Sequence, residues 1–165
     1  MSATKAKKES SYYEPVKGTL EGILKPRFGS YHLEVTADRK FSNMLKAQVG
    51  SYRDIIFFFL KDAAPDITGF VKGQYSLDFV VVEVKAENIK LDDVYQTRKY
   101  AELFDARYAL LVSTHEIPEE VKRLSKVVFS LLQLPAYKRL TLVHFDEKNN
   151  EFTDWFPENP FAEGE

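Results

Sequence analysis

The chain has no cysteine in its 165 residues, which excludes disulfides, thiolate metal sites and a cysteine nucleophile. Histidine is scarce too: His32, His115 and His144 stand far apart, without the spacing of a zinc site. No apolar run approaches the ~18 residues that a membrane-crossing helix requires. The opening Met-Ser-Ala-Thr-Lys-Ala-Lys-Lys also lacks the apolar core of a secretory signal. A cytoplasmic protein is the expectation. No glycine-rich loop follows any expected strand, which argues against a nucleotide-binding α/β domain. A strong excess of one charge is missing as well, since the formal net charge is −2. That charge is unevenly placed. Residues 145–165 carry seven acidic groups against Lys148, which leaves the rest of the chain at +4. A mildly basic body with an acidic tail is compatible with nucleic acid without demanding it.

An apolar content of 44% and an aromatic content of 14% are enough for a sizeable core, and the length suits one domain. Residues 1–11 are polar and lysine-rich and are expected to form a disordered basic arm. A single domain over 12–165, ending in an acidic, aromatic tail, should follow. Val16, Leu20, Ile23 and Leu24 predict a helix over Glu14–Arg27, and Tyr31–Thr36 alternates as a strand. Ser42 is placed to cap a short helix through Val49, with Gly50 as its stop. The segment Arg53–Leu60 fits a helix by spacing, but its β-favouring run Ile55–Leu60 favours a strand. Further strands are expected at Ile67–Val71, Leu77–Val84, Tyr108–Val112 and, last, Arg139–Phe145. Helices are expected at Leu91–Phe104 and from Pro118 to Leu134.

The chemistry concentrates at the end of one strand. Successive strand residues point to opposite faces, so Glu83 and Lys85 share a face and Val84 takes the other. An aspartate, Asp66, opens the preceding strand after Pro65. If folding brings Asp66 beside Glu83, the two carboxylates repel each other unless a cation joins them. Asp78 is the rival to Asp66, but it stands five residues before Glu83 and so falls on the opposite face of an unbulged strand. On the helix that follows, Gln96 and Tyr100 are four apart and share one face.

Pro65-Asp66, Glu83-x-Lys85 and Gln96-Thr-Arg-Lys-Tyr100 together resemble the PD-(D/E)xK nuclease superfamily, in particular its RecB-type and archaeal-resolvase-like branch. The resemblance covers about residues 54–125 and includes the order of the elements. It implies an α/β fold with a restriction-endonuclease-like αβββαβ core, a mixed central sheet flanked by helices. It further implies a metal-dependent phosphodiester hydrolase, a DNA endonuclease or exonuclease, that leaves a 5′-phosphate and a 3′-hydroxyl. By the same resemblance Asp66, Glu83 and the Val84 carbonyl would hold Mg2+ or Mn2+. Lys85 would orient or activate the attacking water, and Gln96 would help position the site. Tyr100, Lys90, Arg98 and Lys99 would meet the substrate, as basic and aromatic groups meet phosphates and bases. Many family members also carry a glutamate on the first helix, and Glu14, Glu21 and Glu34 are not separable as its counterpart. The alternative is a catalytically weak or inactive module with this fold that binds nucleic acid or protein. A homodimer would give two sites for two strands, and the aromatic tail could dock on a second copy or on its own domain.

Overall fold

Six strands form one mixed sheet in sequential order in the computed structural model, which describes residues 8–162. β1 (Ser30–Val35) pairs antiparallel with β2 (Ile67–Lys72), and β2 pairs antiparallel with β3 (Leu77–Lys85). The β2–β3 hairpin closes through the Gly73 amide, which donates to the Ser76 carbonyl at 2.9 Å. β3, β4 (Tyr108–Ser113) and β5 (Arg139–Asp146) run parallel, and β6 (Glu151–Phe156) returns antiparallel on β5.

Burial follows from the alternation of side chains. Val80, Val82 and Val84 of β3 enter one core with Val16, Leu20 and Leu24 of α1 (Tyr13–Leu24). Phe79 and Val81 enter the opposite core beneath α2 (Asn43–Val49), α3 (Ile56–Phe59), α4 (Leu91–Phe104) and α5 (Glu119–Val127). A strand buried on both faces needs the unbroken valine run that β3 has. β1 and β2 approach so closely at Gly69 that a Cβ there would stand 1.9 Å from the His32 carbonyl oxygen, and only glycine fits.

Most expected elements form within a residue or two of their predicted ends. Ser42 caps α2, accepting from the Leu45 amide at 3.1 Å, and Gly50 ends the helix at φ 83°. The strand expected at Arg53–Leu60 does not form; the segment holds the short helix α3 instead. Ile56 and Leu60 are buried four residues apart while Ile55, Phe58 and Phe59 face out, so packing overrides β-propensity. The helix expected to reach Leu134 stops at Val127. Leu131, Leu132 and Leu134 are all buried, while Val127 and Phe129 are exposed. The segment turns back along the sheet, where the Leu140 amide donates to the Leu132 carbonyl at 2.8 Å.

Both chain ends behave differently from the expectation. Of the arm expected over 1–11, residues 1–7 lie outside the described residues, and Glu9–Tyr12 form a 3-10 turn leading into α1. Tyr12 is buried there, and its hydroxyl donates to Glu147. The last strand is β6 rather than β5. Phe161 beyond it is buried and stacks on Tyr108 with ring centres 4.7 Å apart, so the tail packs on its own domain.

Candidate active site

Register brings the two acidic positions together. Ile67 pairs with Val82, so one residue further Asp66 stands across from Glu83. By alternation Glu83 and Lys85 point to the α4 face of the sheet, while Asp66 stands in the bend just ahead of β2, within hydrogen-bond reach of Tyr13 of α1. The structure interlocks them through the backbone. The Val84 amide donates to Asp66 Oδ2 at 2.8 Å, and the Asp66 amide donates to Glu83 Oε1 at 3.1 Å. The Val84 side chain lies in the other core. Asp66 is 7% exposed and Glu83 4%. Asp78 lies towards the far end of β3, opposite Val71, about 17 Å along the strand from Glu83.

Burial and mutual repulsion set the electrostatics. Desolvation raises the pKa of Asp66, against hydrogen bonds from the Val84 amide and the Tyr13 hydroxyl, which favour its charged form. Desolvation also raises Glu83, and the neighbouring Asp66 charge raises it further. The pair therefore holds on to a proton well above the usual carboxylate range. Lys85 behaves oppositely. Burial pulls its pKa down, but Glu9, Asp93 and Glu83 outweigh that and leave it raised, so it stays an ammonium. Its Nζ lies 3.4 Å from Asp93 Oδ1 and 4.0 Å from Glu9 Oε1.

α4 supplies the next layer. The Lys90 amide donates to Asp93 Oδ2 at 2.8 Å, which fixes the first turn of the helix and the carboxylate beside Lys85. Gln96 Nε2 donates to the Tyr100 hydroxyl at 2.8 Å. Tyr100 is fully buried, and its phenol is held neutral chiefly by desolvation, with the Glu83 and Asp66 charges adding to the effect. The remaining predicted contacts diverge. Lys90 is exposed and pairs with Glu87 at 3.6 Å, and Lys99 lies on the outer side of α4, 5.2 Å above the Tyr100 ring. Arg98 is turned away: its Nη1 donates to the Ser130 carbonyl and, at 3.0 Å, to that of Leu131.

Three residues of the site were not anticipated from the sequence. Glu9 sits in a 3-10 turn too short to show a period, within a stretch expected to be disordered. Tyr13 reads as an ordinary aromatic at a helix start, yet its hydroxyl donates to Asp66 and its own ionisation is suppressed by burial and by that carboxylate. Asp93 suits a helix N-terminus and gives no separate sign of its lysine partner. Of the first-helix glutamate candidates, Glu34 serves the fold: it accepts from the Ser42 amide at 2.8 Å and pairs with His32 at 2.7 Å. Glu21 pairs with Lys17 within α1 at 3.3 Å.

No protein-family model, curated protein or solved structure matches the chain. Among the described residues no group of three or more His, Cys, Asp or Glu side chains is arranged to hold a metal ion, and no helix is long and apolar enough to cross a membrane.

Proposed function

We propose that this chain is a metal-dependent phosphodiester hydrolase acting on DNA, built on a restriction-endonuclease-like core. The observation that carries the reading is the meeting of two buried carboxylates, Asp66 and Glu83, with the Lys85 ammonium held beside them. The donor set fits Mg2+ or Mn2+. Hard oxygen ligands suit these ions, and Mg2+ keeps several waters and asks only one or two carboxylates of a protein, so a pair is enough. Asp66, Glu83 and the Val84 carbonyl would hold the ion. Bound there, it would make hydroxide available near neutrality and neutralise charge on the phosphate.

The protein's own groups have separable parts. The Val84 amide and the Tyr13 hydroxyl orient Asp66, and the Asp66 amide orients Glu83. Lys85 stays protonated, so it stabilises charge on the scissile phosphate and positions the attacking water instead of taking its proton. Glu9 and Asp93 hold that ammonium in place, and Glu9, just ahead of α1, offers the carboxylate that the family carries on its first helix. Gln96 acts through Tyr100 at the edge of the site, and Lys90, paired with Glu87, and Lys99 lie at the surface, where they would meet phosphates. Arg98 has no such part, because its guanidinium serves the carbonyls after α5. Attack in line with the leaving oxygen would give a 5′-phosphate, and a homodimer would present two sites to two strands. A catalytically silent binding module is the second reading, favoured by Glu9 being paired with Lys85 and, among the described residues, by no third side chain joining Asp66 and Glu83 in a group arranged to hold a metal ion.

Lys85→Ala decides between them. With Mg2+ or Mn2+, the wild type should cut supercoiled, linear or branched DNA, and the variant should be slower by about 100-fold or more, as when an electrostatic stabiliser is removed. Equal cutting by both would sink the mechanism, and no cutting by either would favour the silent module.

A further inference from the structure

Between β1 and β2 the chain leaves the sheet for residues 37–65, and the base of this lobe is clamped to the site. The Thr36 amide donates to the Asp66 carbonyl at 2.8 Å, and the Thr36 hydroxyl donates to the Pro65 carbonyl at 2.6 Å. The lobe packs on the face of the sheet to which Glu83 and Lys85 point, its Leu45, Val49, Ile56 and Leu60 sharing a core with Tyr100 and Phe104 of α4. Arg53 ties it to α4 through the Leu103 carbonyl at 3.0 Å.

Its outer surface is unusual for a solvated loop. Tyr52 is 96% exposed, Phe58 60% and Phe59 62%, and the two phenylalanine rings meet edge to face at 5.2 Å. Cations are interleaved with them. Lys61 Nζ lies 4.8 Å from the Phe58 ring centre, and the lobe carries five basic residues against three acidic ones. An interface with a second copy would be depleted in charge at its centre. Exposed aromatic rings with ammonium groups among them complement a strand whose bases are free to stack and whose phosphates are negative. A closed duplex offers no base faces to such rings.

We propose that the lobe over residues 37–65 is a stacking platform for single-stranded DNA, with Tyr52, Phe58 and Phe59 taking unpaired bases and Lys61 a neighbouring phosphate. The inference rests on the nuclease reading for its biological sense and narrows the substrate to DNA with an unpaired stretch. Binding, however, is measurable without cleavage.

The test is fluorescence anisotropy of a labelled 20-nucleotide single strand and of its duplex, in EDTA, with wild type, Phe58→Ala/Phe59→Ala and Lys61→Glu. Wild type should prefer the single strand. The double phenylalanine variant should lose about 10-fold or more in single-strand affinity, as alanine substitution of stacking aromatics does. Lys61→Glu should weaken binding and flatten its salt dependence. All the altered lobe side chains are exposed, so the fold should survive, which circular dichroism would establish. Unchanged single-strand affinity in both lobe variants would overturn the proposal, as would equal loss on the duplex or a wild-type dimer that the phenylalanine changes dissolve. A wild type that binds the single strand through the lobe and cuts nothing with Mg2+ would keep this inference while sinking the nuclease reading.

Discussion

Glu83 is placed where an isolated carboxylate is least comfortable, buried at a strand end beside a second one. Its folded-state pKa is raised, so the folded protein binds that proton more tightly than the unfolded chain does. The associated stability is complete below the unfolded value of about 4.3 and is lost as pH rises through the folded one. Metal-free wild type should therefore weaken from about pH 5 towards alkaline pH at this position. Glu83→Gln keeps an acceptor oxygen for the Asp66 amide and removes the charge. At pH 8 without metal it should be more stable than wild type by about 1–2 kcal/mol, or about 3–6 °C in Tm. The gain should shrink at pH 5, and a variant less stable than wild type at pH 8 would contradict the account. On the proposed reading the same protons would compete with the cation. Mn2+ affinity measured by calorimetry should therefore rise between pH 6 and pH 8 in wild type and be lost in Glu83→Gln.

At the scale of elements, the site depends on where β2 begins. Thr36, just past the end of β1, holds that start: its hydroxyl also meets the Thr68 hydroxyl at 2.7 Å. Thr36→Val would leave the buried Pro65 carbonyl and Thr68 hydroxyl short of a partner. It should cost about 1–3 kcal/mol in urea unfolding and slow cleavage by about 10-fold through a displaced Asp66. Unchanged cleavage would show that Asp66 is positioned by other contacts. The sequence makes this element order readable because strand and helix periods are strong from Ile67 to Val112, and strand parity alone puts Glu83 and Lys85 on one face. What it does not disclose is settled by tertiary packing. Ile55–Leu60 has strand-favouring side chains, yet it becomes helical because Ile56, Phe57 and Leu60 find a core while Ile55, Phe58 and Phe59 do not. Glu9 and Tyr13 reach the site because α1 lies across the sheet, and no local pattern in residues 8–13 encodes that contact.

Over the whole molecule, the acidic C-terminal stretch is part of the body as far as residue 162. Glu147 accepts from Tyr12, Asp154 lies 3.8 Å from Lys122, and Glu158 lies 3.7 Å from Arg139. Phe161 anchors the stretch against Tyr108 and Trp155 in the core shared with α1. Phe161→Ala should therefore cost about 3–5 kcal/mol in unfolding, while the protein that remains folded cuts DNA at the wild-type rate. A negligible loss would mean that the tail is only loosely attached. The central claim is that Asp66 and Glu83 form a cation site for cutting DNA, and one assay addresses it most directly. Supercoiled, linear and branched DNA are incubated with Mg2+ or Mn2+ and either wild type or Glu83→Gln. The account predicts cutting by wild type that EDTA abolishes and that falls by at least about 1000-fold in the variant. Cutting that survives in Glu83→Gln, or that proceeds in EDTA, would contradict it.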